Sequence, residues 1–325
     1  MNPEKYVQQL FKVVYQRTCT DVYLLLVGAN MQILGQSNQG IIKINQLSCE
    51  DGRKIIAYLK YQANMTVSEH RRPQSGAWQW KFGKELINIR LSTVGDFRGT
   101  ESLVLRFIYP LKQLKYQMLK EAQWNELKQM ASRAGLVLFA GPMGSGKTTT
   151  MYRLAKDQYQ QSVVLTIEDP VEVVEDTFIQ LQVNNIAGMG YQELLRLALR
   201  HRPQVLIIGE IRDPITAQTV IEASLSGHLV LATIHAKSAG GVIPRLKQLG
   251  IEQYYIDQAL RGACYQRLIP LSNHQEKGVL FDLKTLIELQ KNQGSDIGEQ
   301  WKKILQTAVK EGKITSTTAQ AFWQG

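Results

Sequence analysis

Cysteine is scarce: Cys19, Cys49 and Cys264 are the three in 325 residues, far apart and without a CxxC pair. That spacing excludes a disulfide framework and fits reduced, structural thiols. Long apolar runs are missing too. Nothing approaches the roughly 18 apolar residues that cross a bilayer, and the opening MNPEKYVQQLFKVVYQRT lacks the uninterrupted apolar segment of a secretory signal. The expected location is the cytoplasm, with contact at the inner face of the membrane left open. Zinc-finger and RNP-like patterns are absent, as are the interleaved aromatic and basic blocks of a single-strand stacking platform. The nearest approach is Trp78 and Trp80 close to Arg71, Arg72 and Lys81. There the alternation in AWQWKF favours a strand with Trp78, Trp80 and Phe82 on its inner face, so direct nucleic-acid binding is not expected.

What is present is an ordinary globular composition, 44% hydrophobic, with a formal net charge of +10. The charge asks for an acidic partner: nucleic acid, an anionic membrane face or bound nucleotide. Length suggests two domains. Residues 1–108 read as a small α+β domain: Val7, Leu10, Phe11 and Val14 recur at helical spacing on a core-facing helix, and DVYLLLVGANMQIL, GAWQWKFGKELINIRLST and SLVLRFIYP read as short strands. Residues 109–118 are expected to be a linker, followed by a helix through LKEAQWNELKQMASRAG that Gly135 ends as a left-handed cap. In 119–325 the apolar runs LVLFA, VVLTI, VLIIG and LVLATI alternate with helical segments, the pattern of an α/β fold with a parallel sheet covered on both faces. From about Ala239 onward the chain is expected to be mostly helical.

The stretch GPMGSGKTTT joins LVLFA to the helix expected over 147–158. Gly141, Gly146, Lys147 and Thr148 fill the pattern G-x-x-x-x-G-K-[ST], on the strand-to-helix turn that the pattern requires. Backbone N–H groups from Gly141, Pro142's successors Met143, Gly144 and Ser145, and on through Thr149 would form a concave patch of partial positive charge at a helix N-terminus. Lys147 would reach the β and γ phosphates of ATP, and the Thr148 hydroxyl would ligate Mg²⁺. A glycine-rich turn without ligand is the plainer alternative.

Phosphoryl transfer to water also needs a carboxylate and positive charge on the oxygens. VLIIGEIRD ends an apolar strand in Glu210, and VVLTIEDPVE ends another in Glu168 and Asp169, so both acidic strand ends would emerge beside the phosphate loop as a Mg²⁺ and water site. Taken alone, either could be a helix cap. His228 and His235 flank the run LVLATI and lie too far apart to share a metal. A γ-phosphate sensor and plain strand-end histidines both remain open on spacing.

GPMGSGKTTT, TIEDPVE, RPQVLIIGEIRD followed by TAQTVIEASLSGHLVLATIHAKSA, and YQRL at 265–268 together resemble the secretion and type IV pilus ATPases, with Walker A, Asp box, Walker B and His box in that family's order. TDVYLL, SEHRRPQSG, and IRLST followed by GTESLVLRF extend the resemblance over nearly the whole chain. It is greatest for the assembly branch, in the short form found in Gram-positive competence systems. The resemblance implies a RecA-like P-loop ATPase domain preceded by a PAS-like N-terminal domain, assembled as a homohexamer. It makes Glu210 the Walker B glutamate and Glu168 the second carboxylate, without deciding which is the base. It assigns phosphate contacts to Arg90, in NIRLST, and Arg106, in VLRF, a task that suits the bidentate, permanently charged guanidinium. His228 and His235 would couple the γ-phosphate to domain movement.

Two departures stand out. Arg202 and Gln204 flank Pro203 where the family carries aspartates, which implies altered packing or subunit contact there. Longer relatives hold zinc with four cysteines in the C-terminal domain; Cys264 stands alone in this one, so no zinc is expected. The function implied is a cytoplasmic ATPase, peripheral to the membrane, that drives assembly of a competence pseudopilus for DNA uptake. Its partners would be a polytopic membrane platform protein and, indirectly, pilins. Retraction or secretion motors of the same family, a nucleic-acid translocase and a non-hydrolysing nucleotide-gated protein are the alternatives.

Overall fold

The computed structural model describes residues 1–37, 40–114, 117–273, 276–291 and 297–325. The chain divides into two compact units, Met1–Pro110 and Leu111–Gly325.

The first unit is α+β. It comprises α1 (Pro3–Gln16), β1 (Asp21–Val27), β2 (Asn30–Ser37), β3 (Gly40–Ser48), α2 (Cys49–Gln62), β4 (Gln74–Phe82), β5 (Glu85–Gly95) and β6 (Glu101–Ile108). Every pairing in its six-stranded sheet is antiparallel, in the order β3-β2-β1-β6-β5-β4. Asn2 caps α1 by accepting from the Lys5 N–H at 3.1 Å, and Pro3 starts the helix where no N–H is needed. The apolar stripe Val7, Leu10, Phe11 and Val14 is buried, as its spacing demands. Phe11 meets Trp78, Trp80 and Phe107 at ring distances of 5.4, 5.4 and 5.0 Å. Trp80 Nε1 donates to Gln8 Oε1 at 2.8 Å. The tryptophans therefore belong to the core of this unit, on the inner face that the alternation indicates.

The second unit holds an eight-stranded sheet. In chain order its elements are β7 (Gln117–Met118), α3 (Ala122–Met130), β8 (Gly135–Ala140), α4 (Lys147–Gln158), β9 (Val164–Glu168), β10 (Ile179–Gln182), α5 (Tyr191–Arg200), β11 (Val205–Ile211), α6 (Pro214–Leu225), β12 (Leu229–Ile234), α7 (Val242–Gln248), α8 (Gln253–Ala259), β13 (Leu260–Pro270), β14 (Lys277–Thr285), α9 (Leu286–Lys291), α10 (Glu299–Lys310) and α11 (Ser316–Ala321). The sheet order is β10-β9-β11-β12-β8-β13-β14-β7, and every pair from β10 to β13 is parallel. Alternate strand residues feed two cores. Leu136, Leu138, Leu206, Ile208 and Val230 pack with Leu195, Val220 and Ile221 of α5 and α6, while Val137, Phe139, Ile207 and Leu231 pack with Met151, Leu154 and Ala155 of α4. That is why these runs read as continuously apolar.

Three expectations need correction. The region after Ala239 contains β13 and β14, two long strands paired antiparallel from Gly262 with Thr285 to Pro270 with Lys277. Polar residues break their apolar pattern, among them Gln266, which is buried because it bonds to the phosphate loop. Gly135 opens β8 rather than capping a helix; α3 ends at Met130 with Ala131 as its cap. The stretch 109–118, of which 115–116 lie outside the described residues, is packed into the second unit from Leu111 onward. Leu111 is buried and its N–H donates to the Val174 carbonyl at 3.1 Å, and β7 pairs with β14. Beside Pro203, Arg202 adopts a left-handed φ of 48°, and the Gln204 side chain accepts from the Val163 N–H at 2.7 Å, so glutamine there ties two strand starts together.

Candidate active site

The carboxyl ends of β8, β9, β11 and β12 share one edge of the parallel sheet, and the sequence places a chemically useful group at each. After β8 the chain turns through Gly141–Gly146 into α4. Gly141 has φ 141° and Gly146 φ 85°, backbone that a side chain would strain. Pro142, Met143 and Gly144 are exposed, Ser145 is buried with its Oγ unpartnered among the described residues, and Thr148 and Thr149 stand half-buried in the first turn of α4. Lys147 Nζ donates to the Gly141 and Pro142 carbonyls, each at 2.9 Å, so its ammonium lies over the loop. Burial lowers the Lys147 pKa, while Glu172 and Glu210 oppose that shift.

Glu210 lies near the end of β11. Its Oε1 is 2.7 Å from His235 Nε2 and its Oε2 accepts from Arg212 Nε at 2.7 Å. A bulge makes this possible: Ile208 pairs with Ala232 but Ile211 with Ile234, so β11 carries one extra residue at 209–210. Such a bulge re-aims a side chain, here toward the histidine that follows β12. Glu168, at the end of β9, is 2% exposed. Its Oε1 accepts from Thr166 Oγ1 at 2.9 Å and from the Tyr152 hydroxyl of α4. Burial pushes its pKa up, more than its two hydroxyl partners pull it down. Asp169 is exposed, and burial together with the Asp169 charge pushes up the Tyr191 phenol.

Glu168, Glu210 and His235 thus gather with the phosphate loop. His228 does not: it precedes β12, where its carbonyl accepts from the Gly135 N–H that opens β8, and its Nδ1 meets the Ala223 carbonyl at 3.1 Å. That is the opposite edge of the sheet, about 20 Å away along six strand residues. In the first unit Arg90 and Arg106 are cross-strand partners on β5 and β6, and Arg106 Nε donates to Asp21 Oδ1 at 2.8 Å.

Sequence reasoning missed Tyr152, Tyr191, Arg212 and the role of Gln266. Arg212 was accessible from GEIRD, two residues beyond Glu210 and just past the end of β11. Tyr152 and Tyr191 look like ordinary core aromatics until the fold brings their hydroxyls to the carboxylates.

The donor set fits a nucleotide and its metal. Positive-φ glycines open the loop, a lysine lies across it and a threonine hydroxyl starts the helix. Among the described residues no group of three His, Cys, Asp or Glu side chains could cage a metal, but Mg²⁺ takes one or two protein oxygens plus nucleotide phosphates and needs no such cage.

A phosphate loop on a parallel sheet, with acidic strand ends at the same edge, defines a RecA-like P-loop ATPase with an additional N-terminal unit. The model of the type II/IV secretion system protein family matches residues 2–321, and the chain belongs to that family of ATPases. It is 37% identical over 317 residues to the competence protein ComGA of Streptococcus pneumoniae, covering 98% of this chain and 97% of that one. It is 38% identical over 226 residues to the type IV pilus assembly ATPase TfpB of Acinetobacter baylyi, covering 66% of this chain and 38% of that protein. The X-ray structure of the Legionella pneumophila ATPase DotB matches the fold with a TM-score of 0.76 at 17% identity, covering 98% of this chain and 95% of that one.

Proposed function

We propose that the chain is the ATP-driven motor of a type IV pilus-like competence fibre that takes up DNA, working as a ring hexamer against a polytopic platform protein at the inner face of the membrane. The observation that carries this reading is the near end-to-end match to a competence protein of almost equal length, together with Glu210, His235 and the phosphate loop at one sheet edge. No helix among the described residues is long and apolar enough to cross a membrane, so in this reading the platform protein supplies the anchor and moves the pilins. The positive charge favours a position beneath an anionic leaflet.

In this reading Lys147 and the loop N–H groups hold the β and γ phosphates, and Thr148 holds Mg²⁺, which neutralises charge on the phosphates when bound. Glu210 is the better general base: its carboxylate is partly open, whereas Glu168 is enclosed and hydroxyl-bonded. Glu168, with Asp169, then shapes the field around Glu210 and the metal. His235, on the same carboxylate, reports its state to β12. Arg90 and Arg106 take phosphate contacts by motif position, and His228 acts at a distance from the chemistry.

The net charge of +10 favours one other reading, a nucleic-acid translocase. ATP hydrolysis by the purified protein, measured across a concentration series with and without single- and double-stranded DNA and with Lys147→Ala as blank, separates the two. Turnover that rises as rings assemble and ignores DNA supports the pilus motor. Turnover that requires DNA refutes it.

A further inference from the structure

The phosphate loop is held from behind by a residue of β13. The Gln266 side chain is fully buried. Its Nε2 donates to the Ser145 carbonyl at 2.7 Å, and its Oε1 accepts from Thr150 Oγ1 at 2.7 Å, one contact on the loop and one on the first turn of α4. The donor contact to a carbonyl fixes which way the amide faces. The approach is close at both ends of the loop: a Cβ on Gly141 would stand 2.5 Å from the Gln266 carbonyl oxygen, and one on Gly146 3.0 Å from Gln266 Nε2. The strand itself is fixed on its other face. Tyr265 packs on Trp301 of α10 at 6.0 Å, and Arg267 lies over the Phe322 ring at 4.9 Å and donates to the Gly325 carbonyl at 3.1 Å. A strand pinned on one face presents a rigid amide on the other.

We propose that Gln266 is a positioning residue for nucleotide binding, setting the curvature of Gly141–Gly146 by bridging the Ser145 carbonyl and the Thr150 hydroxyl. Phosphate binding needs several loop N–H groups to converge on one point. Turning the Ser145 carbonyl away from the pocket, by bonding it to Gln266, keeps a like partial charge from facing the phosphates. This inference rests on the loop being the nucleotide site.

The test is binding of a fluorescent ATP analogue and steady-state hydrolysis by the full chain, in wild type, Gln266→Leu, Thr150→Val, Thr150→Ser and Lys147→Ala. Gln266→Leu should raise Kd and KM about tenfold, in line with leaving the buried Ser145 carbonyl without its partner while the Thr150 hydroxyl keeps its 3.1 Å bond to the Gly146 carbonyl, and kcat at saturating ATP should stay within about twofold of wild type. Thr150→Val should move Kd the same way, and Thr150→Ser, which keeps the hydroxyl, should restore it. General destabilisation would instead lower the active fraction and hence kcat, with KM unchanged. Should Gln266→Leu not fold, the Thr150 pair carries the test. Wild-type Kd in folded Gln266→Leu or in Thr150→Val, with Lys147→Ala defective, overturns the inference alone. Equal binding by wild type and Lys147→Ala overturns the loop as the nucleotide site, and the inference with it.

Discussion

Glu210→Gln separates the chemistry of the site from its architecture. The change keeps the side-chain shape and removes the charge that faces His235 and Arg212, each at 2.7 Å. Both partners are 59% exposed, so solvent screens the two interactions. Each contributes at most about 1 kcal/mol, and their joint loss costs about 2 kcal/mol or less. In a unit of this size that lowers Tm by about 8 °C at most. Turnover should respond on a different scale: loss of a general base slows hydrolysis by roughly 10²-fold or more. Binding should change little, because Lys147 and the loop do not depend on the Glu210 charge for their hydrogen bonds. The assay is a coupled ATPase measurement beside thermal unfolding and binding of the ATP analogue. His235→Ala, which removes one of the two contacts and leaves the carboxylate, should give an intermediate loss of turnover and a smaller change in Tm. Wild-type turnover in Glu210→Gln refutes the assignment of Glu210. A fall in Tm well beyond about 8 °C refutes the estimate and makes the residue structural.

The remaining expectations concern the supporting residues. Glu168 is a carboxyl whose pKa burial raises above its usual 4.5; the folded state therefore holds the proton more tightly than the unfolded one, and wild-type stability falls as pH rises from 4.5 through the raised value. Glu168→Gln should abolish that slope, so its Tm advantage over wild type should grow across the same interval in unfolding scans at a series of pH values; parallel curves would contradict this. Gly141→Ala sets a Cβ 2.5 Å from the Gln266 carbonyl at φ 141°, and should cost about 1–3 kcal/mol in denaturant titrations along with nucleotide affinity. Arg106→Ala breaks a contact with Asp21 in which the arginine is 54% exposed, so stability should shift by less than about 1 kcal/mol, while ATPase turnover should fall sharply if Arg106 serves the phosphates; unchanged turnover removes it from the site.

The legible parts of the fold and site are those whose reason lies within a few residues. The phosphate loop is one: strand, glycines, lysine and helix follow one another in 135–158, and the helix begins and ends where its sequence says. The buried parallel strands β8, β9, β11 and β12 are another, because both faces are covered and most of their residues are apolar. The first unit's core was readable from the spacing of Val7, Leu10, Phe11 and Val14 and from the alternation of Trp78 and Trp80. β13 was not readable. Its polar residues look wrong for a central strand until Gln266 meets Ser145 and Thr150, 121 and 116 residues away along the chain, and no local pattern encodes such a pairing.

The two histidines make the same distinction sharper. Spacing treats His228 and His235 alike, as ends of one six-residue strand, and only the direction of β12 separates them. In a parallel sheet all loops that follow strands meet at one edge, so the residue after β12 meets the residue near the end of β11, and the residue before β12 meets the start of β8. Direction alone would place His235 near Glu210 without bringing them into contact. The single extra residue in β11, between Ile208 and Ile211, closes the remaining gap to 2.7 Å. A bulge at Gly209 and Glu210 has a local cause in glycine's tolerance, so a GE pair ending an otherwise apolar strand is the signal from which this contact could be anticipated.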